Sequence, residues 1–81
     1  MTVVTLYGKP GCHLCDEARA VVADVRRERP FDLREVDVTA NPSLHARYGE
    51  RIPVVAIDGE EAFEYLVEPE ELRRMLDRVD T

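Results

Sequence analysis

Two strand-forming segments, residues 2–7 and 31–38, stand on either side of one long helical pattern, and this order constrains the chain more than any other feature. Residues 2–7 are rich in Val and Thr and apolar on both faces, as in a strand covered from two sides. Ala18, Val21, Val22 and Val25 then recur at three- and four-residue spacing, which predicts a helix over residues 12–29. Asp16 and Glu17 fall in its first turn and Arg26, Arg27 and Arg29 in its last, the order that the helix dipole favours. Pro30 stops the helix. Residues 31–38 alternate between apolar and polar, with one slip of phase. Strands joined by so long a helix do not form a hairpin; they pair in parallel through a right-handed crossover.

The second half carries the opposite kind of connection. Asn41-Pro42 opens a short helix through Tyr48, with Leu44 and Tyr48 on one face and Gly49 at its C-terminal end. Residues 51–57 read as a strand begun by Pro53, since proline is tolerated at a strand's first residue. Asp58-Gly59 is a tight-turn signal, and residues 62–65 form the return strand of a hairpin. Glu68-Pro69-Glu70-Glu71 marks a helix start with proline at the first helical position. Leu72, Met75, Leu76 and Val79 supply that helix's apolar stripe. The expected fold class is α/β, in the order β-α-β-α-β-β-α, with a four-stranded mixed sheet and helices on both faces. The chain has 81 residues, and a single domain over 1–81 is expected. Tyr7 and Phe63 are assigned to the core.

Charge excludes some function classes. The formal net charge is −6 and no basic cluster tracks a phosphate backbone, so nucleic acid is not an expected partner. No apolar run reaches membrane-spanning length, and a membrane partner is not expected either. Residues 1–7 lack the basic lead of a secretory signal, so a cytoplasmic location is expected. In that reducing compartment, two closely spaced cysteines point to catalysis or metal binding rather than to a structural disulfide.

Cys12-His13-Leu14-Cys15 follows a strand and opens a helix, the context in which a Cys-x-x-Cys pair reads as a redox site. A thiolate, not a thiol, attacks a disulfide. Unpaired N–H groups and the positive dipole end at a helix N-terminus favour that thiolate. Cys12 is therefore the candidate nucleophile. Cys15, one turn further along the same face, is the candidate resolving thiol that releases the product from a mixed disulfide. Lys9 adds positive charge nearby, while Asp16 and Glu17 add negative charge. Two rival readings are inert thiols and metal or cluster binding by a dimer. A closed zinc site needs four ligands, and the chain offers only Cys12, Cys15, His13 and His45, with His13 pinned between the cysteines. His13 either tunes the thiolate as an imidazolium or is a plain exposed side chain. His45 reads as a solvated residue of the short helix. Arg51 either meets a substrate carboxylate or is an ordinary surface charge. Glu68, Glu70 and Glu71 form a helix start, and no metal site is assigned.

The stretch Tyr7-Gly8-Lys9-Pro10-Gly11-Cys12-His13-Leu14-Cys15 resembles the active-site segment of glutaredoxins, which carry a lysine three residues before the first cysteine. Ile52-Pro53-Val54 is similar to their Thr-Val-Pro segment. Through the element order the resemblance covers nearly the whole chain. The Cys-His-Leu-Cys version, with Tyr48-Gly49-Glu50-Arg51-Ile52-Pro53-Val54 downstream, resembles small bacterial glutaredoxin-like proteins. The resemblance implies a thioredoxin-like fold and a dithiol disulfide oxidoreductase serving cell redox homeostasis. It implies that Cys12 is nucleophilic and Cys15 resolving. Pro53 would be cis, the Ile52 backbone would pair with an incoming thiol's peptide, and Lys9 would meet a glutathione carboxylate. The expectation is a monomer with no bound cofactor, acting on a disulfide-containing protein or small-thiol substrate, with glutathione or another low-molecular-weight thiol as a candidate co-substrate. Glutaredoxins carry a Gly-Gly pair after the last strand, followed by a helix-start residue and an Asp that hold the glutathione glutamyl end. Here that region reads Phe63-Glu64-Tyr65-Leu66-Val67-Glu68-Pro69, without Gly-Gly and with acidic side chains. The alternative is a non-catalytic thioredoxin-fold module that docks a partner protein or bridges a metal cluster.

Overall fold

The computed structural model describes residues 2–80; Met1 and Thr81, the ends of the expected domain, lie outside the described residues. The elements run in the expected order. They are β1 (Val3–Gly8), α1 (His13–Glu28), β2 (Asp32–Asp37), a 3-10 turn (Val38–Ala40), α2 (Pro42–Tyr48), β3 (Val54–Ile57), β4 (Glu60–Glu64) and α3 (Pro69–Asp80). The four strands form one sheet in the order β2-β1-β3-β4. β1 runs parallel to β2 and antiparallel to β3, and β3 runs antiparallel to β4. The long helix has forced the parallel pair, and the two-residue turn has forced the hairpin.

Alternation along the central strands sends side chains to two cores. Val4 and Leu6 of β1, with Val55 and Ile57 of β3, pack against Ala18, Val22 and Val25 of α1 and Leu72 and Leu76 of α3. The opposite face gathers Val54, Val38, Tyr48 and Ile52 around Cys15, with Tyr7, Leu44 and Cys12 packed against them. The phase slip in residues 31–38 is a change of face: Phe31 and Leu33 join the first cluster and Val38 the second. β2 ends where Asp37 Oδ1 accepts the Thr39 N–H at 2.8 Å and starts the 3-10 turn. The Arg73 guanidinium ties α3 to α1 through Glu28, with Nε 2.7 Å from Oε2.

Several details depart from the sequence reading. The third strand does not begin at Pro53; it begins at Val54, and residues 51–53 form the approach to it. β4 starts at Glu60, directly after Asp58 and Gly59, whose φ values of 50° and 88° make the primed turn that matches strand twist. It also ends at Glu64, so Tyr65 lies beyond the sheet. A bulge at Val55/Ala56 shifts the pairing from Val55↔Phe63 to Ala56↔Glu61. Phe63 is only partly buried and packs against the first core. Val79 shares the periodicity of Leu72 and Leu76 yet is 46% exposed, because it lies beside the tip of the hairpin, past the covered part of the sheet. Finally, Gly49 follows α2 with φ −53°, a right-handed value that any residue adopts. Glycine stands there for space instead, since a Cβ would lie 2.5 Å from the His45 carbonyl oxygen. No helix among the described residues is long and apolar enough to cross a membrane.

Candidate functional site

The loop after β1 places the first cysteine. Gly11, at φ 75°, takes a left-handed turn that few other residues accept and delivers Cys12 to the N-cap of α1. Cys12 is extended (φ −93°, ψ 113°), as an N-cap residue must be. Its carbonyl accepts the Asp16 N–H at 3.1 Å, the first bond of the helix. Its Sγ accepts the Cys15 N–H at 3.1 Å, so a sulfur satisfies one of the helix's orphan donors. Cys12 and Cys15 form a disulfide across a Cα–Cα distance of 5.1 Å, within the usual span for such a bond.

The two sulfurs differ in access. Cys12 is half-buried, whereas Cys15 is fully buried against the second core. Gly8 gives Cys15 its room: a Cβ on Gly8 would lie 3.0 Å from the Cys15 Sγ. Gly8 belongs to β1 rather than to the loop, and a glycine inside a strand is the sequence signal of a close approach.

Beneath the disulfide the second core supplies a stiff floor. The Tyr7 and Tyr48 rings stack at 4.3 Å between centroids. Burial, and then the neighbouring Tyr48, push the Tyr7 phenol above its ordinary value, so it stays protonated at neutral pH. Ile52 and Pro53 are both buried, and the peptide bond between them is cis. The Pro53 carbonyl accepts the Tyr65 N–H at 2.8 Å, and the Tyr65 hydroxyl donates to the Glu50 carbonyl at 3.1 Å. Tyr65 holds φ 69°, in the left-handed region. This residue ties the segment after β4 to the one before β3, a role missed by sequence reasoning because a tyrosine carries no signal of a positive φ.

The remaining candidates fall into place by their contacts. Cys12, Cys15 and Ile52 share one apolar cluster. Lys9 stands in the exposed loop and lines a shallow groove with Pro10, Arg19, Glu35 and Asp37 on the β2 side, apart from that cluster. Arg51 is held by Glu61 at 2.8 Å and Glu64 at 3.1 Å, which keep its guanidinium pKa above the ordinary value. It also lies 5.4 Å over the Tyr48 ring, so its charge is matched within the chain. His13 is exposed, with Nε2 3.6 Å from Glu17 Oε1, and His45 is exposed on α2. Among the described residues no three His, Cys, Asp or Glu side chains gather into a metal-holding group. The arrangement can hold one sulfur open to attack and a second one directly behind it.

Known proteins carry similar chains. The model of the family described as Glutaredoxin-like domain (DUF836) matches residues 3–77. An uncharacterized protein of Mycobacterium bovis is 36% identical over 75 residues, spanning 86% of this chain and 77% of that protein. The X-ray structure of a structural-genomics target from X. campestris superposes with a TM-score of 0.78 at 32% identity, covering 93% of this chain and 96% of that one. A thioredoxin variant from Halobacterium salinarum shares the fold, with a TM-score of 0.71 at 22% identity over 95% of this chain and 73% of that one. The fold is thioredoxin-like α/β, and its Cys12–Cys15 pair fits a redox function.

Proposed function

We propose, from the premise that this chain belongs to the glutaredoxin-like domain (DUF836) family, that it is a thiol–disulfide oxidoreductase in which Cys12 attacks and Cys15 resolves. One observation carries the reading: Cys12 caps α1 half-exposed, while Cys15 sits buried one turn behind it.

In the reduced state the Cys12 thiolate accepts the Cys15 N–H and lies at the positive end of the helix. Such placement is worth about 0.3–2 kcal/mol to a negative charge. The thiolate attacks one sulfur of a substrate disulfide; a new S–S bond forms to Cys12, and the other substrate sulfur leaves as a thiolate and takes up a proton. Cys15 then loses its proton and attacks the Cys12 sulfur. The intramolecular disulfide forms, and the second substrate thiol departs. Two electrons pass from the protein to the substrate, and two protons follow them. Only Cys12 is open to an outside sulfur, so burial fixes the order of events. Return to the dithiol takes two electrons from glutathione or another low-molecular-weight thiol.

Ile52 and Pro53 form the platform beside the disulfide. The Ile52 backbone pairs with the peptide of the incoming substrate, and Lys9 meets a carboxylate of glutathione when that small thiol restores the dithiol. The protein acts as a single-domain monomer in the cytoplasm, on disulfides of proteins or small thiols.

The test is a redox titration. The protein is equilibrated across ratios of reduced to oxidised glutathione, quenched in acid and read by intact mass. A dithiol and an intramolecular disulfide should interconvert at a cytosolic potential. Cys12→Ser should abolish turnover, and Cys15→Ser should trap mixed disulfides. Thiols that never pair with each other at any ratio would leave the docking or cluster-bridging module as the working reading.

A further inference from the structure

An apolar surface is left uncovered between the first turns of α1, where Leu14 separates the two cysteines in sequence, and the segment after β4. Leu14, between the two cysteines, is 37% exposed, and Tyr65 and Leu66 are 45% and 62% exposed. Of the four large hydrophobic side chains exposed among the described residues, these three line one groove, with Ala18, Val21 and Glu17. Clustering of this kind marks an interaction surface, whereas scattered exposed apolar residues do not. The wall is also held in place. Tyr65 stays in a left-handed conformation, tied by its N–H to Pro53 and by its hydroxyl to Glu50.

The charge around this groove is negative. Glu17 lines it, and its partner His13 adds charge only when protonated. Glu68 follows Val67, is exposed and has no ion-pair partner among the described residues. The Arg51 guanidinium on the β4 side is already matched by Glu61 and Glu64. A small anionic disulfide such as oxidised glutathione has no large apolar side chain to place here, and its carboxylates meet like charge. A polypeptide with an apolar residue next to its disulfide cysteine and basic residues around it satisfies both features.

We propose that the groove formed by Leu14, Val21, Tyr65 and Leu66 docks an extended segment of a protein disulfide, apolar next to the attacked cysteine and basic around it. Tyr65 and Leu66 set the preference for such a segment over small anionic disulfides. This deepens the oxidoreductase reading above and rests on it.

The test uses the reduced full chain, freed of reductant, and three disulfides. One is oxidised glutathione. The other two are disulfide-linked peptide dimers with Leu beside the cysteine, one flanked by Lys and one by Glu. In each reaction the protein dithiol becomes its disulfide as the substrate becomes two thiols, and acid quench with intact mass gives the rate constant. The Lys-flanked peptide should react at least about tenfold faster than oxidised glutathione, the scale set by burying one leucine side chain. The Glu-flanked peptide should react several-fold more slowly than its Lys-flanked twin, and high salt should narrow that gap. Leu66→Ser should shrink the peptide-over-glutathione ratio, and Glu17→Gln with Glu68→Gln should shrink the Lys-over-Glu ratio. Equal rates for oxidised glutathione and the Lys-flanked peptide, or ratios unmoved by the substitutions, overturn the groove and leave the oxidoreductase reading standing. No reduction of any of the three by a titratable dithiol overturns both. A wild-type dimer that Leu66→Ser converts to a monomer in sedimentation assigns the groove to a second copy and overturns the proposal.

Discussion

A methyl group added at Gly8 would lie 3.0 Å from the Cys15 Sγ and 3.3 Å from the Cys15 Cβ. Both distances are tighter than ordinary van der Waals contact, and Cys15 is fully buried. Gly8→Ala must therefore displace the sulfur or bend β1. Overpacking a filled site costs about 1–3 kcal/mol. Replacing a strand glycine by alanine returns about 0.5–1 kcal/mol through the unfolded chain. The net loss then falls between about 0 and 2.5 kcal/mol, centred a little above 1 kcal/mol, or roughly 5–10 °C in Tm at about 4–8 °C per kcal/mol for a domain of this size. A double-mutant cycle isolates the cause. Cys15→Ala removes the sulfur and leaves only the 3.3 Å contact. In that background Gly8→Ala should cost about 1 kcal/mol less than in the wild type. All four proteins are unfolded thermally in excess reductant and followed by circular dichroism, so that no disulfide enters the comparison. If Gly8→Ala lowers Tm equally in both backgrounds, or raises it in the wild type, the close approach of Gly8 to Cys15 is not what seats the sulfur.

Two further predictions concern the first core and the helix contact over it. Leu72→Ala should cost about 2–5 kcal/mol, because Leu72 is fully buried, while Val79→Ala should stay within about 0.5 kcal/mol. Urea denaturation of the two variants separates the inner part of the apolar stripe from its outer end. The Arg73 guanidinium, through its hydrogen bond, holds the Glu28 carboxyl below its ordinary value of 4.5. A carboxylate with a lowered folded pKa stabilises the fold above its unfolded pKa, and that contribution is lost as pH falls through the folded value. The gap in Tm between wild type and Arg73→Ala should therefore be constant near neutral pH and close below about pH 4.5; a gap that widens in acid would contradict the pairing.

How much of this was legible in the sequence follows from the range of the interactions concerned. The cap at Cys12 depends on residues within one helical turn, so Cys-x-x-Cys at a strand-to-helix junction announces it. The face change within residues 31–38 also shows in the pattern, as a slip of phase. Other features depend on segments that meet only in three dimensions. Tyr65 takes its conformation from bonds to Pro53 and Glu50, on the far side of the hairpin, and a tyrosine gives no local sign of a left-handed φ. Gly8 falls just past the strand-forming residues 2–7, with no local sign of its role until the Cys15 sulfur is found against it. Gly49 was placed correctly for the wrong reason: position marked it as a helix end, while a carbonyl one turn back decides the residue. Val79 keeps the period of its stripe but outruns the sheet that the stripe covers.

Charge shows most plainly why composition stops short of the site. A net charge of −6 describes solubility and says nothing of where the field acts. In the folded chain Arg51 is cancelled by Glu61 and Glu64, and Arg19 by Asp16 and Glu35. Glu71 is spent on Arg74, and Glu28 on Arg73. Most such pairs are exposed and contribute little to stability. Their larger effect is subtraction, since each removes a carboxylate from the field that an approaching substrate meets. Glu17, in the second turn of α1, is left with only His13 for a partner, and Glu68, just before α3, has no ion-pair partner among the described residues. Glu68 sits at a helix start, where the dipole favours an acid, so its placement supports α3 and, in the docking proposal, adds to the negative sign that Glu17 gives the groove.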